Sequence, residues 1–298
     1  MGEAPIDARL CCDSTVIDNE ADELRAVAED VAAEAAVFVR GRRSELFGTP
    51  TGSGGPGLRS KSSPTDPVTM ADTETEQLIR DRLAELRPGE SILGEEGGGA
   101  PQRRGSVRWV VDPIDGTVNF VYGIPTYAVS IAAQLDGRSV AGAVADVASG
   151  DVYSAGIGLG AHLLSDGARH RLRCSDVDDL AMALLGTGFG YQPHRRAAQA
   201  ALLARMLPEI RDVRRIGSAA LDLCMVAAGR LDGHYEHGLN VWDWAAGALI
   251  AAEAGAVLLL PDPDVPGTEG PLVVVAAPGV AAQLIDALER FGGLHPLP

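Results

Sequence analysis

The stretch from Thr126 to Ala155, TYAVSIAAQLDGRSVAGAVADVASGDVYSA, is made of strand-like apolar runs separated by Asp136-Gly137 and Ser149-Gly150. Such dipeptides suit the tight turns between antiparallel neighbours, so this segment reads as an antiparallel meander. Upstream the pattern is helical. From Leu24, apolar residues recur at Val27, Ala28, Val31, Ala32, Ala35, Phe38 and Val39, one buried stripe of a long amphipathic helix. A meander among helices implies a mixed α/β (α+β) chain of layered sheets and helices.

The remaining segments extend this pattern. The Gly, Ser and Pro content of Gly48–Ser60 marks a mobile connection, and Lys61–Leu83 runs from a proline-stiffened turn into a second helix, with Asp72 or Thr73 placed to cap it. SILGEEGGG (91–99) reads as a short strand stopping at an acidic loop, and SVRWVVDP (106–113) as a strand ended by Pro113. In the second half, Ala181–Tyr191 reads as a strand and Arg195–Ile210 as a helix ending at Pro208. From Val213 the order is helix, strand, helix, strand, followed by LVVVAA (272–277) and a last helix over 280–291. The glycines of GIGLGAHLLSDGARHRLRCS (156–175 region) lie between strand-like runs and open no helix, which argues against a dinucleotide loop. The expected organisation is a flexible acidic tail over 1–20 and two halves, 21–160 and 161–298, packed as one unit.

With 298 residues, 46% of them apolar, the chain has material for a substantial core. Its formal charge of -16 disfavours a general nucleic-acid or anionic-membrane binder, since phosphate affinity comes largely from Lys and Arg. The longest apolar run is broken by Glu253 and Gly255, and residues 1–20 lack a signal-peptide pattern. Four cysteines without C-x-x-C spacing fit a reduced, cytoplasmic protein.

The informative feature is where the acids stand. Taken singly, Asp112 and Asp115 suit an Asx turn, Glu95 and Glu96 a solvated loop, and Asp243 an N-cap. Taken together, three separate element ends each present acids beside glycines, a way of bringing hard oxygen ligands to one point, as a magnesium site needs. Carboxylates held this close repel in a cleft of reduced dielectric, which calls for divalent cations. In DPIDGT, Pro113 stiffens the backbone between Asp112 and Asp115, the Ile114 carbonyl is a further oxygen, and Gly116 admits close approach of a ligand. A helix beginning after Gly116 would turn free amides towards phosphate oxygens. Metals plus phosphate is the inference.

The motifs KSSPTDPVTMAD, ILGEEGG, WVVDPIDGTVNFVYGIP, RRIGSAALDLCMVAAGRLDGHYE and VWDWAAGALIAAEAG resemble, in this order, those of the inositol monophosphatases, within a superfamily of lithium-sensitive, magnesium-dependent sugar phosphatases. The resemblance spans about Leu24 to Phe291 and is to the bacterial members above all. It implies an αβαβα sandwich of the sugar phosphatase type, a homodimer and Mg²⁺ as cofactor. It makes Glu95, Asp112 and the Ile114 carbonyl ligands of one magnesium and Asp112, Asp115 and Asp243 ligands of a second, with a weaker third ion near Glu95. Asp72 and Thr117 would orient and deprotonate water, and the Gly116 and Thr117 amides would hold phosphate. Asp115, Ala219 and Glu236 match positions that contact inositol hydroxyls, with Asp243 beside them, and Lys61 matches a lysine on a mobile loop.

The expected activity is hydrolysis of inositol 1-phosphate to inositol and phosphate by direct attack of water. Fructose 1,6-bisphosphatase, histidinol-phosphate phosphatase and phosphoadenosine phosphatase share the DPIDGT signature and are the alternatives. Another class is a protein partner in transcription complexes. Other residues read blandly: His234 and His237 as surface or supporting histidines rather than zinc ligands, Trp109 and Trp242 as packing groups, Arg211–Arg215 as a solvated face, and Cys174 and Cys224 as small apolar groups.

Overall fold

The computed structural model describes residues 14–47, 58–60, 67–99 and 103–297. Lys61, Cys11, Cys12 and the connection over 48–57 lie outside the described residues. The amphipathic stripe from Leu24 belongs to α1 (Ser14–Phe47), which starts early enough that 14–20, expected in the tail, is helical. A short hairpin, β1 (Leu58–Ser60) and β2 (Pro67–Thr69), leads into α2 (Met70–Leu86). Asp72 therefore sits in the first turn of α2 rather than at its cap.

A first sheet of seven strands follows: β3 (Ser91–Gly94), β4 (Val107–Asp115), then, after the short α3 (Thr117–Tyr122), β5 (Ala128–Leu135), β6 (Arg138–Asp146), β7 (Val152–Gly156), β8 (Gly160–Ser165) and β9 (Ala168–Arg171). From β4 onwards neighbours pair antiparallel, as the turns at Asp136-Gly137 and Ser149-Gly150 predict, while β3 and β4 are parallel. Strand β4 does not stop at Pro113. Its pairing with β5 slips between Asp112 and Asp115, and this irregularity accommodates a residue with no N–H to donate.

The second half runs β10 (Leu184–Thr187), α4 (Pro193–Met206), β11 (Asp212–Arg214), α5 (Ala219–Ala227), β12 (Gly233–His237), α6 (Val241–Glu253), β13 (Val257–Leu259), β14 (Leu272–Ala276) and α7 (Pro278–Arg290), and its strands form a second sheet. Its strand order is β11-β10-β12-β14-β13, with β10 parallel to both neighbours and the remaining pairs antiparallel.

Three apolar cores stack these elements into αβαβα layers. Leu24, Val31 and Val39 of α1 and Ile79 and Leu83 of α2 pack on Trp109, Val111 and Ile131 of the first sheet. Helices α5 and α6 lie between the sheets: Leu223, Trp244 and Ile250 meet Val110 and Val144 on one side and Val273 and Val275 on the other. Beyond the second sheet, Leu202, Met206, Leu284 and Leu288 of α4 and α7 close the third core. The middle helices are apolar on nearly every side because both flanks are covered. No helix among the described residues is long and apolar enough to cross a membrane.

Candidate active site

Parallel pairing of β3 with β4 sets their C-terminal ends side by side, Gly94 opposite Val111. The next residue of each strand is an acid. Glu95 donates its amide to the Val111 carbonyl (3.2 Å), and its side chain lines the same cleft as Asp112. The loop carrying Glu95 is held by a residue that sequence reasoning missed. Glu76 of α2, buried, accepts the amides of Glu96 (2.7 Å) and Gly97 (2.8 Å) and is paired with Arg80 at 2.8 Å. A Cβ at Gly94 would overlap the Glu76 carboxylate, so the glycine is what lets this anchor reach the loop.

Asp115, three residues past Asp112, points across to the middle helices. Its Oδ2 accepts the Ser218 hydroxyl (2.6 Å) and the Ala220 amide (2.7 Å), so one carboxylate oxygen closes the N-terminus of α5. Gly116 follows with φ 92°, and a Cβ there would stand 3.0 Å from the Gly217 carbonyl. That left-handed turn starts α3, which buried Phe120 anchors edge-on to Tyr127 and Phe47 at 5.4 and 5.7 Å. Asn119 ties α3 to the segment before α5 through the Ile216 carbonyl, 2.9 Å away. Asp243 arrives from α6. It sits in the first turn, where Oδ2 accepts the Asn240 amide (2.7 Å) in a capping box.

One carboxylate oxygen from each of Asp112, Asp115 and Asp243 lies within 4.8 Å of the others. Burial, and then the charges of Glu95, Asp115, Asp243 and Asp72, push the Asp112 pKa well above the usual carboxylate range. Asp243 shifts the same way through burial and the charges of Glu95 and Asp115, against the Asn240 amide. Burial raises Asp115 to about 6, although the Ser218 and Ala220 donors oppose the rise. Hard oxygen donors crowded into a site that disfavours their charge fit a divalent cation such as magnesium, whose positive charge reverses this balance.

The cleft above the cluster has a volume of about 270 Å³ and is lined by Glu95, Ile114, Gly116, Thr117, Ala219 and Glu236, among others. It brings together the residues named from sequence, with two qualifications. Asp72, 1% exposed, acts on Asp112 through its charge but is not among the lining residues, and Lys61 lies outside the described residues. The Thr117 hydroxyl donates to the Ile114 carbonyl at 3.1 Å, which leaves the hydroxyl oxygen as an acceptor. Glu236 enters the cleft from β12, near enough for its charge to act on Asp115 and Asp243, and the missing side chain of Gly188 leaves room for its carboxylate. Arg215, the last of the basic run, is exposed like its neighbours but lines the cleft.

Of the two readings of the histidines, surface or supporting, burial leaves the supporting one. His234 is 0% exposed and His237 2% exposed, so neither is on the surface. Their odd spacing on β12 sends them to opposite faces. His237 contacts the Gly293 carbonyl at 2.8 Å, while His234 shares its face with Glu236. Ser218 had a readable signal, a serine just before a helical run. Glu76, Asp222 and His234 had none, because their partners lie on other elements.

Comparison with known proteins agrees with this geometry. Residues 20–291 match the inositol monophosphatase family. A Mycobacterium leprae protein named Inositol-1-monophosphatase is 66% identical over 288 residues, covering 95% of this chain and 99% of that one. A Pasteurella multocida protein named Nus factor SuhB is 38% identical over 233 residues, 76% of this chain and 84% of that one. The solved structure of Mycobacterium tuberculosis SuhB superposes with a TM-score of 0.80 at 62% identity, covering 93% of this chain and 100% of that chain.

Proposed function

We propose that this chain, which belongs to the inositol monophosphatase family, is a magnesium-dependent phosphomonoesterase that hydrolyses inositol 1-phosphate to inositol and phosphate. The observation that carries the reading is the cluster of Asp112, Asp115 and Asp243 in a cleft that Glu236 also lines. In this reading Glu95, Asp112, the Ile114 carbonyl, Asp115 and Asp243 hold the metal. When bound, magnesium supplies positive charge that offsets the phosphate's own and lowers the cost of deprotonating water.

The chain's own groups do the rest. Thr117 spends its hydroxyl proton on the Ile114 carbonyl, so its oxygen accepts from the attacking water and aims it. Asp72, buried and acting on Asp112, takes the water's proton. The Gly116 and Thr117 amides at the start of α3 hold the phosphate, with φ 92° at Gly116 turning the chain towards it. Glu236 and the backbone at Ala219 face the leaving group, where a carboxylate accepts hydrogen bonds from ring hydroxyls. The same reading makes the protein a cytoplasmic homodimer.

The test is a phosphate-release panel in Mg²⁺ or EDTA with inositol 1-phosphate, fructose 1,6-bisphosphate, histidinol phosphate and phosphoadenosine phosphate. Inositol 1-phosphate should give the highest kcat/KM, and EDTA should abolish release. A higher value for another substrate reassigns the activity within the superfamily. Undiminished release in EDTA removes the metal reading. The relatives named Nus factor SuhB motivate a second reading, a protein contact in transcription complexes. Capture of RNA polymerase by an Asp112→Asn variant would support it, and failure of both parent and variant to retain polymerase would dismiss it.

A further inference from the structure

Behind Glu236 lies a buried line of ionisable groups that the reaction described above leaves unused. His234 and Glu236 are two apart on β12 and so share one face, and α5 lays Asp222 against that face. His234 Nε2 stands 3.4 Å from Glu236 Oε2, and its Nδ1 stands 3.7 Å from Asp222 Oδ2. The side chains of His234 and Asp222 are 0% and 2% exposed, and that of Glu236 is 12% exposed where it reaches the cleft. Among the described residues neither ring nitrogen makes a hydrogen bond, nor does Asp222 Oδ1, so the two carboxylates stand at ion-pair distance from an otherwise unpartnered buried ring.

The neighbouring strand is shaped for this line. In the parallel register of β10 with β12, Gly186 stands opposite His234, and a Cβ there would be 2.9 Å from Nδ1 and 3.1 Å from Asp222 Oδ1. Two residues on, a Cβ at Gly188 would overlap the Glu236 carboxylate. Gly186 on β10 and Gly188 just past its end thus open the space that the imidazole and the carboxylate fill. Thr187, between them, clamps the strands by donating its hydroxyl to the Tyr235 carbonyl at 2.9 Å.

A ring with a carboxylate at each nitrogen satisfies both only as imidazolium, because the neutral ring has a single N–H. Burial alone pulls the His234 pKa down, but the Glu236 contact and the charges of Asp222, Glu236 and Asp115 together push it above its ordinary value. Burial lifts Asp222 to about 7, with the His234 charge holding it back. Inside the protein the pair distances fall in the range of ion pairs, so moving either carboxylate away from the ring strands a buried charge.

We propose that His234, backed by Asp222, is a positioning residue that holds the Glu236 carboxylate in the cleft as a hydroxyl acceptor, and thereby sets selectivity for polyol monophosphates over esters whose leaving group lacks hydroxyls. The proposal rests on the phosphatase reading above and adds a group to it that touches neither metal nor phosphate. Without the imidazolium, Glu236 has no ion-pair or hydrogen-bond partner among the described residues to fix its rotamer, and it stands among Asp115, Asp222 and Asp243, whose charges repel it.

The test compares the parent with His234→Asn, His234→Gln, Glu236→Gln and the His234→Asn/Glu236→Gln double variant, in Mg²⁺, on inositol 1-phosphate and 4-nitrophenyl phosphate. His234→Asn should lower the ratio of the two kcat/KM values by about tenfold, mostly through KM for inositol 1-phosphate. His234→Gln, whose amide nitrogen reaches towards the Nε2 position, should restore much of that ratio. The double variant should be no less selective than Glu236→Gln alone, since the histidine acts through the glutamate. Equal losses on both substrates, or losses that multiply in the double variant, overturn the proposal. A ¹⁵N spectrum gives a readout independent of substrate and of any variant at His234: Glu236→Gln should shift the His234 ring resonances, and unmoved resonances also overturn it. A parent that cleaves 4-nitrophenyl phosphate but not inositol 1-phosphate overturns the substrate assignment instead, and the ring signal then decides the role of His234.

Discussion

Removing the metal leaves the crowded carboxylates to be neutralised by protons, and that makes stability depend on pH in a definite direction. Asp115 is 9% exposed, and burial moves its pKa from 3.8 to about 6 despite the donors at Ser218 and Ala220. Its unfolded value is about 3.9. Between these two values the native state binds more protons than the unfolded chain. The stabilisation is therefore fully present below about pH 4 and is lost as pH rises through about 6. Two units at about 1.4 kcal/mol each make a loss of about 3 kcal/mol, a large part of the roughly 5–15 kcal/mol typical of a folded protein. Asp112 and Asp243 shift in the same direction. His162 and His237, pulled below their ordinary values by burial, oppose the trend, so the parent is compared with Asp115→Asn. Urea unfolding of EDTA-treated protein from pH 4.5 to 7.5 should show the parent losing about 2 kcal/mol more than the variant over that range, and saturating Mg²⁺ should remove the difference. Parallel pH profiles for the two metal-free proteins would refute the reasoning.

Three further outcomes follow from the same geometry. Asp112→Asn should cut turnover by more than about 10²- to 10³-fold at saturating magnesium, measured as phosphate release, because it removes the most buried carboxylate of the cluster; residual activity above about a tenth contradicts the assignment. LiCl should inhibit phosphate release where NaCl and KCl at matched ionic strength do not, if the three aspartates hold small, oxygen-seeking cations as proposed. Gly188→Ala should lower kcat/KM for inositol 1-phosphate more than for 4-nitrophenyl phosphate, because the added methyl overlaps the Glu236 carboxylate, and equal effects on both would show that the glycine serves the fold alone.

The proposed ligands were nameable from the chain because their chemistry is local. Asp112, Ile114 and Asp115 come from one hexapeptide, Glu95 follows a recognisable strand, and Asp243 sits in the first turn of a recognisable helix. Strand and helix periods reported which faces are buried, so the meander and the long first helix needed no tertiary knowledge. Errors came where backbone detail depends on pairing. Pro113 reads as a strand terminator, yet β4 passes through it by a slip against β5.

What the sequence determined by itself was the inventory: mixed α/β layers, acids at element ends beside glycines, and the chemistry of hard oxygen donors. Only the tertiary structure decided what holds those acids in place. Glu76 secures the Glu95 loop from 20 residues away, Ser218 meets Asp115 across 103 residues, and Gly186 on β10 and Gly188 just past its end make room for His234 and Glu236 on β12. Periodicity reports that a residue faces inward but not which group it faces, because hydrogen bonds and ion pairs in a close-packed interior are selected by the juxtaposition of elements far apart in the chain.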